Sequence, residues 1–453
     1  MGPTNQSHRK SNPLFYRVRK KAALYHAWGK VRENGLKSTS VQTRNEVKEF
    51  AKAAESAIPG IAEHLRKNRF LFESARGALL AKKGKKSKRP VVIAPVRSRI
   101  VQRAILDVVQ EIPEVTKILH AGFNFGGVDG EGFGVPAAVE KALGCAQQLG
   151  YYVRTDIKSF FTAVPRVTAL RMIGSYIHDP QFMALLKNAT DTELVDADRF
   201  GADIQLFPLG DIGIAQGSSL SPLLCNFLLK DFDEALNSRG ITCIRYIDDF
   251  ILFGKNQGIV QKAFSNALKI LKDLGLDAYD PNGSDVLERQ KADQGSTSEE
   301  FEFLGCNIRR DRVRPTDAKF QGLLSGVEKT FSEALSALRD PKKAIANGLS
   351  YADVLSFAGH QVMGWGNTYS FCSDDQLMRN LDIELNKRFN SFNVQVKKRL
   401  ARLSIIDRRR YLGFFCLEDC KRDPDDIGVR KLVANYRSVG NQNYDPIRIH
   451  SGH

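Results

Sequence analysis

The stretch Tyr246-Ile247-Asp248-Asp249-Phe250 constrains the fold more than any other part of the chain. Two adjacent aspartates sit between short apolar runs, residues 241–244 and 250–253, with Gly240 and Gly254 as outer stops. Short apolar runs bounded by turn formers read as strands, so the pattern predicts a hairpin whose bend carries two carboxylates. Like charges side by side repel, and a pair kept at the end of apolar strands calls for a cation nearby. The plain alternative is an Asp-Asp turn facing solvent, because aspartate is common in turns.

A second candidate strand, Tyr151-Tyr152-Val153-Arg154-Thr155-Asp156-Ile157, also ends in an acid, and Phe160 and Phe161 follow at once. For Asp156 the plain alternative is a helix N-cap. If the two strands lie side by side in one sheet, Asp156 and Asp248 converge and can share two Mg²⁺ ions ~3.5–4 Å apart. Mg²⁺ suits such a place because it accepts one or two carboxylates and takes other ligands from substrate phosphates. The third element is Gly213-Ile214-Ala215-Gln216-Gly217-Ser218-Ser219-Leu220-Ser221-Pro222. Apolar residues at 220, 223, 224, 227, 228, 232 and 236 then mark one helical face, which Gly240 closes. Ser221 is expected to cap this helix and Pro222 to fit its first turn. A Gly/Ser-rich entry offers backbone N–H groups to an anion, although most capped helices bind no phosphate.

A chain of 453 residues is long enough for two or three domains' worth of core. Its net charge of +16, from 67 basic and 51 acidic residues, favours polyanion partners through counterion release. Many basic proteins nonetheless never touch nucleic acid, so charge alone decides nothing. Cysteines at 145, 225, 243, 306, 372, 416 and 420 form no CxxC pair, which argues against a zinc site or a disulfide frame and for buried thiols in a reducing cytoplasm. Residues 1–20 are polar and basic, and no apolar run approaches the ~20 residues of a membrane span. The expectation is a soluble, cytoplasmic protein without a membrane partner.

Residues 1–80 read mostly as helix, and the basic run at residues 82–89, closed by Pro90, reads as a hairpin tip. Six glycines among residues 121–134 predict irregular backbone. Strands and helices alternate from Tyr151 to about Ile308, the pattern of an α+β domain, and helix returns after Pro315 through residues 320–338 and 377–403. The last thirty residues are polar and read as a loosely packed tail.

In this order the three elements resemble the palm of a bacterial reverse transcriptase of the group II intron and retron kind. Asp156-Ile157-Lys158-Ser159-Phe160-Phe161 is similar to its first acidic motif, Gln216-Gly217 with Ser221-Pro222 to its nucleotide-positioning motif, and Tyr246-Ile247-Asp248-Asp249 to its Y-x-D-D hairpin. Phe301-Glu302-Phe303-Leu304-Gly305-Cys306 resembles the primer-holding hairpin, and residues 88–102 and 122–127 resemble the fingers and the block that follows. Ala27-Trp28 and Asn34-Gly35 resemble the N-terminal extension of the group II intron enzymes.

The resemblance implies an α+β right-hand polymerase: fingers, a palm of antiparallel sheet plus helices, and an α-helical thumb. The corresponding bounds are 1–80 for a helical extension, 81–150 for fingers, 151–310 for palm with an insertion around 167–210, 311–403 for thumb and 404–453 for tail. It implies an RNA-directed DNA polymerase that extends a primer 3′-hydroxyl, with Asp156 and Asp248 as metal ligands, the Ile157 carbonyl assisting and Asp249 adding charge. The ions would be two Mg²⁺, with Mn²⁺ the alternative. Phe161 falls where the family keeps a bulky gate against the ribose 2′-hydroxyl, although its ring can equally be core. Gln216 and Gly217 would meet the incoming nucleotide, Lys82 and Arg89 its triphosphate, and Tyr246 the primer end.

Partners implied are an RNA template of the structured non-coding type, a DNA primer or product, and dNTPs. No ribonuclease H carboxylate set and no HNH-type zinc module is evident, which points to a stand-alone enzyme, with membership of an antiviral defence group as a hypothesis. The lysine usual after a segment like Leu274-Gly275-Leu276 is missing; Asp277 to Asp280 stands there, and Lys291 is the nearest later lysine, with no role assigned. The rival readings are a template-independent or protein-primed DNA polymerase of the same fold, a catalytically spent RNA-binding scaffold, and an RNA-copying RNA polymerase, which Phe161 disfavours.

Overall fold

The apolar runs on either side of Asp248 and Asp249 form strands, and the acid-ended segment before Ile157 joins them in one sheet. The structure is a computed structural model and describes residues 13–38, 40–81, 88–238, 240–346, 348–414 and 416–417. Lys82, the expected hairpin tip, Cys420 and most of the expected tail lie outside the described residues. The chain divides into two compact units, Met1–Leu304 and Gly305–His453.

In the first unit, β1 (Arg76–Ala81) and β2 (Lys88–Ile93) form an antiparallel hairpin. The central sheet is built from β3 (Tyr151–Asp156), β4 (Thr242–Tyr246), β5 (Asp249–Gly254) and β6 (Asp293–Ser296) in the order β4-β5-β3-β6, every pair antiparallel. Val153, Phe250, Leu252 and Phe253 are fully buried, because both faces of the central strands are covered, which is why these strands read as runs rather than as alternation. The helix Gln257–Asp273 packs on β3 and β5 through Val260, Phe264, Ala267 and Leu271, a spacing of four, three and four that lines one helical face. The last strand of the unit, β7 (Phe301–Phe303), stacks Phe301 on Tyr152 at 4.5 Å and sets it edge-on to Phe253.

The N-terminal region is helical, as expected, through Leu14–Val18, Lys21–Leu36 and Val41–Arg66. Leu24, Ala27, Trp28, Ile58 and Ile61 share one buried cluster with residues of the helix Val96–Gln110 and with Val153, Phe250 and Leu252, so these helices belong to the same core as the sheet. Residues 121–133 have irregular backbone, in line with their glycines. The helix expected after Pro222 is interrupted: Ser221–Leu228 and Lys230–Leu236 are separated at Leu229, whose ψ of 9° lies outside the helical range.

The second unit opens with β8 (Cys306–Arg309) and β9 (Arg312–Pro315), an antiparallel hairpin. Helices Asp317–Ala337, Tyr351–Thr368 and Asp375–Leu400 follow, and the Phe392 ring is stacked between Phe331 and Tyr351 at interplanar angles of 8° and 5°. The thiols are less uniformly buried than expected: Cys225, Cys243, Cys306 and Cys416 are buried, but Cys145 and Cys372 are only half-buried. Among the described residues no helix is long and apolar enough to cross a membrane.

Candidate active site

Strand pairing brings the acids together. In the β3–β5 register Asp156 faces Asp249, and the Ile157 N–H donates to the Asp248 carbonyl at 3.0 Å. The β4–β5 bend consists of Ile247 and Asp248, with Tyr246 paired to Asp249. Ile247 takes a left-handed φ of 61°, unfavourable for a β-branched residue, so the bend needs help from its surroundings.

That help comes from Arg245, which is fully buried and donates to both oxygens of Asp233 at 2.7 and 2.6 Å. Its other guanidinium nitrogen donates to the Ile247 carbonyl at 2.9 Å and to the Asn226 side chain at 3.3 Å. Arginine keeps its proton, and the two-pronged geometry uses both carboxylate oxygens as acceptors, so the pair is ionic. Burial nonetheless raises the Asp233 carboxyl above its ordinary value, against the pull of Arg245. Asn124 and Asn226 add a second layer: both donate to the Gly126 carbonyl, and the Ile247 N–H donates to Asn124 at 3.4 Å. The segment around Asn124 reaches the hairpin by bonding along the free edge of β4, with Arg245 N–H donating to Phe123 and Phe125 N–H to Arg245.

The acid cluster is electrostatically loaded. Burial first, and then Asp156, pushes the Asp248 carboxyl up to about 6, while burial with Asp248 and Asp156 pushes Asp249 up to about 7. Lys291, at the end of the helix Val286–Lys291, donates to Asp156 Oδ2 at 2.7 Å. Burial works against its charge, but the bond to Asp156 and the field of the acids outweigh this and hold its pKa above the ordinary value. Crowded carboxylates of this kind fit a divalent cation, whose charge would relieve both the repulsion and the burial. Among the described residues no group of three acid, histidine or cysteine side chains stands ready-made to hold a metal ion.

The Gln216-Gly217 loop is tied on two sides. Ile214 N–H donates to the Phe161 carbonyl at 2.7 Å, and Val92 N–H of β2 donates to the Gln216 carbonyl at 2.8 Å. Gly217 has φ 115°, and a Cβ there would stand 2.6 Å from the Val92 oxygen. Gly126 is equally confined, since a Cβ would lie 2.7 Å from the Ile247 nitrogen. Gly217→Ala is therefore expected to unfasten the loop from β2 and destabilise the fold by about 1–3 kcal/mol, which denaturant unfolding would measure. Ser221 is not the cap expected of it: it is the first residue of its helix, and its hydroxyl donates to the Ala215 carbonyl at 2.7 Å. Pro222 does occupy the first turn.

Of the residues singled out from the sequence, the fold brings Asp156, Ile157, Tyr246, Asp248 and Asp249 into one group. It bonds Phe161, Gln216 and Gly217 into an adjoining loop system. The Phe161 ring is partly buried against the main core beside Phe160, so it does pack. Arg89 lies on the exposed side of β2, the strand that grips Gln216, and is not in the carboxylate group. Sequence reasoning missed Asn124, Asn226, Asp233 and Arg245 and left Lys291 idle. The available signal was a charged residue on each apolar element: Arg245 beside Ile244, and Asp233 beside Phe232.

The family model described as "Reverse transcriptase (RNA-dependent DNA polymerase)" matches residues 80–308, about half of the 453. The chain is similar to an "Uncharacterized 91 kDa protein in cob intron" of Schizosaccharomyces pombe, 27% identical over 182 residues, 40% of this chain and 21% of that protein. It is similar also to Protein YkfC of Escherichia coli, 26% identical over 207 residues, 46% of this chain and 50% of that protein. The chain thus spans half or less of the length of these curated relatives. A solved structure titled "Partial Cas6-RT-Cas1--Cas2 complex" aligns with 58% of this chain and 42% of that one at 23% identity and a TM-score of 0.33.

Proposed function

Because this chain belongs to the reverse transcriptase (RNA-dependent DNA polymerase) family, we propose that it copies RNA into DNA by extending a primer 3′-hydroxyl with deoxynucleotides. The observation that carries the reading is the β3–β5 register, with Asp156 opposite Asp249 and the Asp248 carbonyl bonded to Ile157. Asp156 and Asp248 would hold the metal ions, with the Ile157 carbonyl assisting and Asp249 adding negative charge. When bound, two Mg²⁺ or Mn²⁺ ions supply a 3′-oxygen nucleophile at neutral pH and neutralise charge on the leaving pyrophosphate.

The chain's own residues do the positioning. Arg245 and Asn124 hold the hairpin bend so that Asp248 keeps its aim. Tyr246, half-buried beside Asp249, supports the primer end. Gln216 and Gly217 present the incoming nucleotide, Arg89 and Lys82 meet its triphosphate, and the Phe161 ring excludes a 2′-hydroxyl. In this reading residues 81–150 are fingers, 151–310 palm and 311–403 thumb, with 1–80 the helical extension and 404–453 the tail. The partners are an RNA template, a primer or DNA product, and dNTPs.

Sequencing the product made on an RNA of defined sequence tests the proposal. DNA complementary to that RNA is expected. Product of unrelated sequence would favour template-independent synthesis, and no incorporation under any primer would favour an RNA-binding scaffold.

A further inference from the structure

The Val286–Lys291 helix touches the first acidic motif twice. Glu288 pairs with Lys158, and Lys291 pairs with Asp156 at 2.7 Å. The segment leading into this helix is laced to β3 and the residues after it: Lys158 N–H donates to Asp277, Tyr279 N–H to Asp156, and the Thr155 hydroxyl to Tyr279. The Tyr279 ring lies under both ammonium groups, its centroid 5.3 Å from Lys158 Nζ and 5.7 Å from Lys291 Nζ. Helix and loop thus form a strap over the strand that ends in Asp156, and a cation at the end of the strap rests on the acid.

We propose that Lys291 is a built-in counter-cation of the acid cluster that competes with divalent metal for Asp156. The inference rests on the reading of these acids as metal ligands. A metal ion binds a carboxylate oxygen at ~2.0–2.1 Å and carries twice the charge of an ammonium, so ion and ammonium repel at one carboxylate. Metal loading therefore moves the Lys291 ammonium off Asp156. The strap itself stays docked, because Glu288 keeps Lys158 and the backbone bonds of Lys158 to Asp277 and of Tyr279 to Asp156 are untouched. The freed ammonium keeps the Tyr279 ring within cation–π reach. Without nucleotide the lysine balances part of the acids' charge and weakens metal binding. A bound triphosphate adds negative charge that favours metal over ammonium, which couples metal loading to the arrival of substrate.

Electron paramagnetic resonance of Mn²⁺ titrated into the full chain tests this without any turnover. Lys291→Gln and Lys291→Met should each bind Mn²⁺ about tenfold more tightly than the parent in the absence of nucleotide, the order expected on removing one nearby charge from a partly buried site. Lys291→Arg, which keeps the charge, should match the parent, and dATP should narrow the gap between parent and Lys291→Gln. Equal or weaker Mn²⁺ binding by both neutral variants would overturn the inference, because Lys291 would then support the acids rather than compete for them. Asp248→Asn separates the two levels. If it leaves Mn²⁺ binding untouched, the metal-ligand reading itself fails; if it abolishes binding while the Lys291 variants change nothing, only the lysine's role fails.

Discussion

Asp248→Asn is expected to stop nucleotide addition while making the metal-free fold more stable at neutral pH. The loss of synthesis follows from removing one of the two carboxylates proposed to hold the metal ions, and a reduction of at least about a thousandfold is expected. The gain in stability follows from the carboxyl's surroundings. Burial and Asp156 push Asp248 up to about 6 from an ordinary 3.8, and burial and Asp248 push Asp249 up to about 7. A carboxyl raised in the folded state favours folding fully below its unfolded pKa, where it is protonated in both states. That advantage is lost as pH rises through the folded value and a crowded, buried group must ionise. Thermal unfolding in EDTA should therefore show the parent losing stability between about pH 4 and 7, with Asp248→Asn and Asp249→Asn losing less. The curves should converge near pH 4, and metal should restore the parent at pH 7–8. A parent that gains stability across that range in EDTA would contradict the cluster described.

Arg245→Met is expected to unfold or nearly unfold the protein, because it leaves Asp233 buried without its Arg245 partner. Breaking one side of a buried, doubly hydrogen-bonded pair costs about 3–5 kcal/mol, a large share of a typical domain's stability. The double variant Arg245→Met/Asp233→Leu should recover much of that loss, since apolar replacements of both partners remove the desolvation penalty as well. It should not recover activity. Arg245 also donates to the Ile247 carbonyl, and the left-handed bend that aims Asp248 then loses its fastening. A double variant that regains both stability and synthesis would reduce Arg245 to packing alone. Denaturant unfolding paired with primer extension on the same preparations distinguishes these outcomes.

The acid-bearing hairpin was legible because it is written locally: apolar runs, glycine stops and a polar bend all lie within fifteen residues, 240–254. Asp156 was legible for the same reason, as the end of an apolar strand, and the sheet then joined the two. What could not be read is what holds them. Lys291 lies 135 residues from Asp156 in sequence, and nothing in its neighbourhood announces the contact. Arg245 reads as an ordinary strand residue that could face solvent, and only the covering of both sheet faces turns it inward to Asp233. The break at Leu229 was hidden because leucine favours helix and the apolar spacing runs through it. The helix Tyr351–Thr368 lies within the segment expected to be a helical thumb but was not delimited there, because its Gly359, Gly364 and Gly366 weaken the helical signal that its apolar residues give.

The reading as a whole depends on divalent ions seated between β3 and the β4–β5 bend. Anomalous X-ray scattering from crystals holding Mn²⁺, a primer–template and an unreactive dNTP analogue observes this directly. Two Mn²⁺ peaks within coordination distance of Asp156 and Asp248, with the Lys291 ammonium withdrawn, are the predicted result. Peaks that avoid both aspartates, with Lys291 still seated on Asp156, would contradict it.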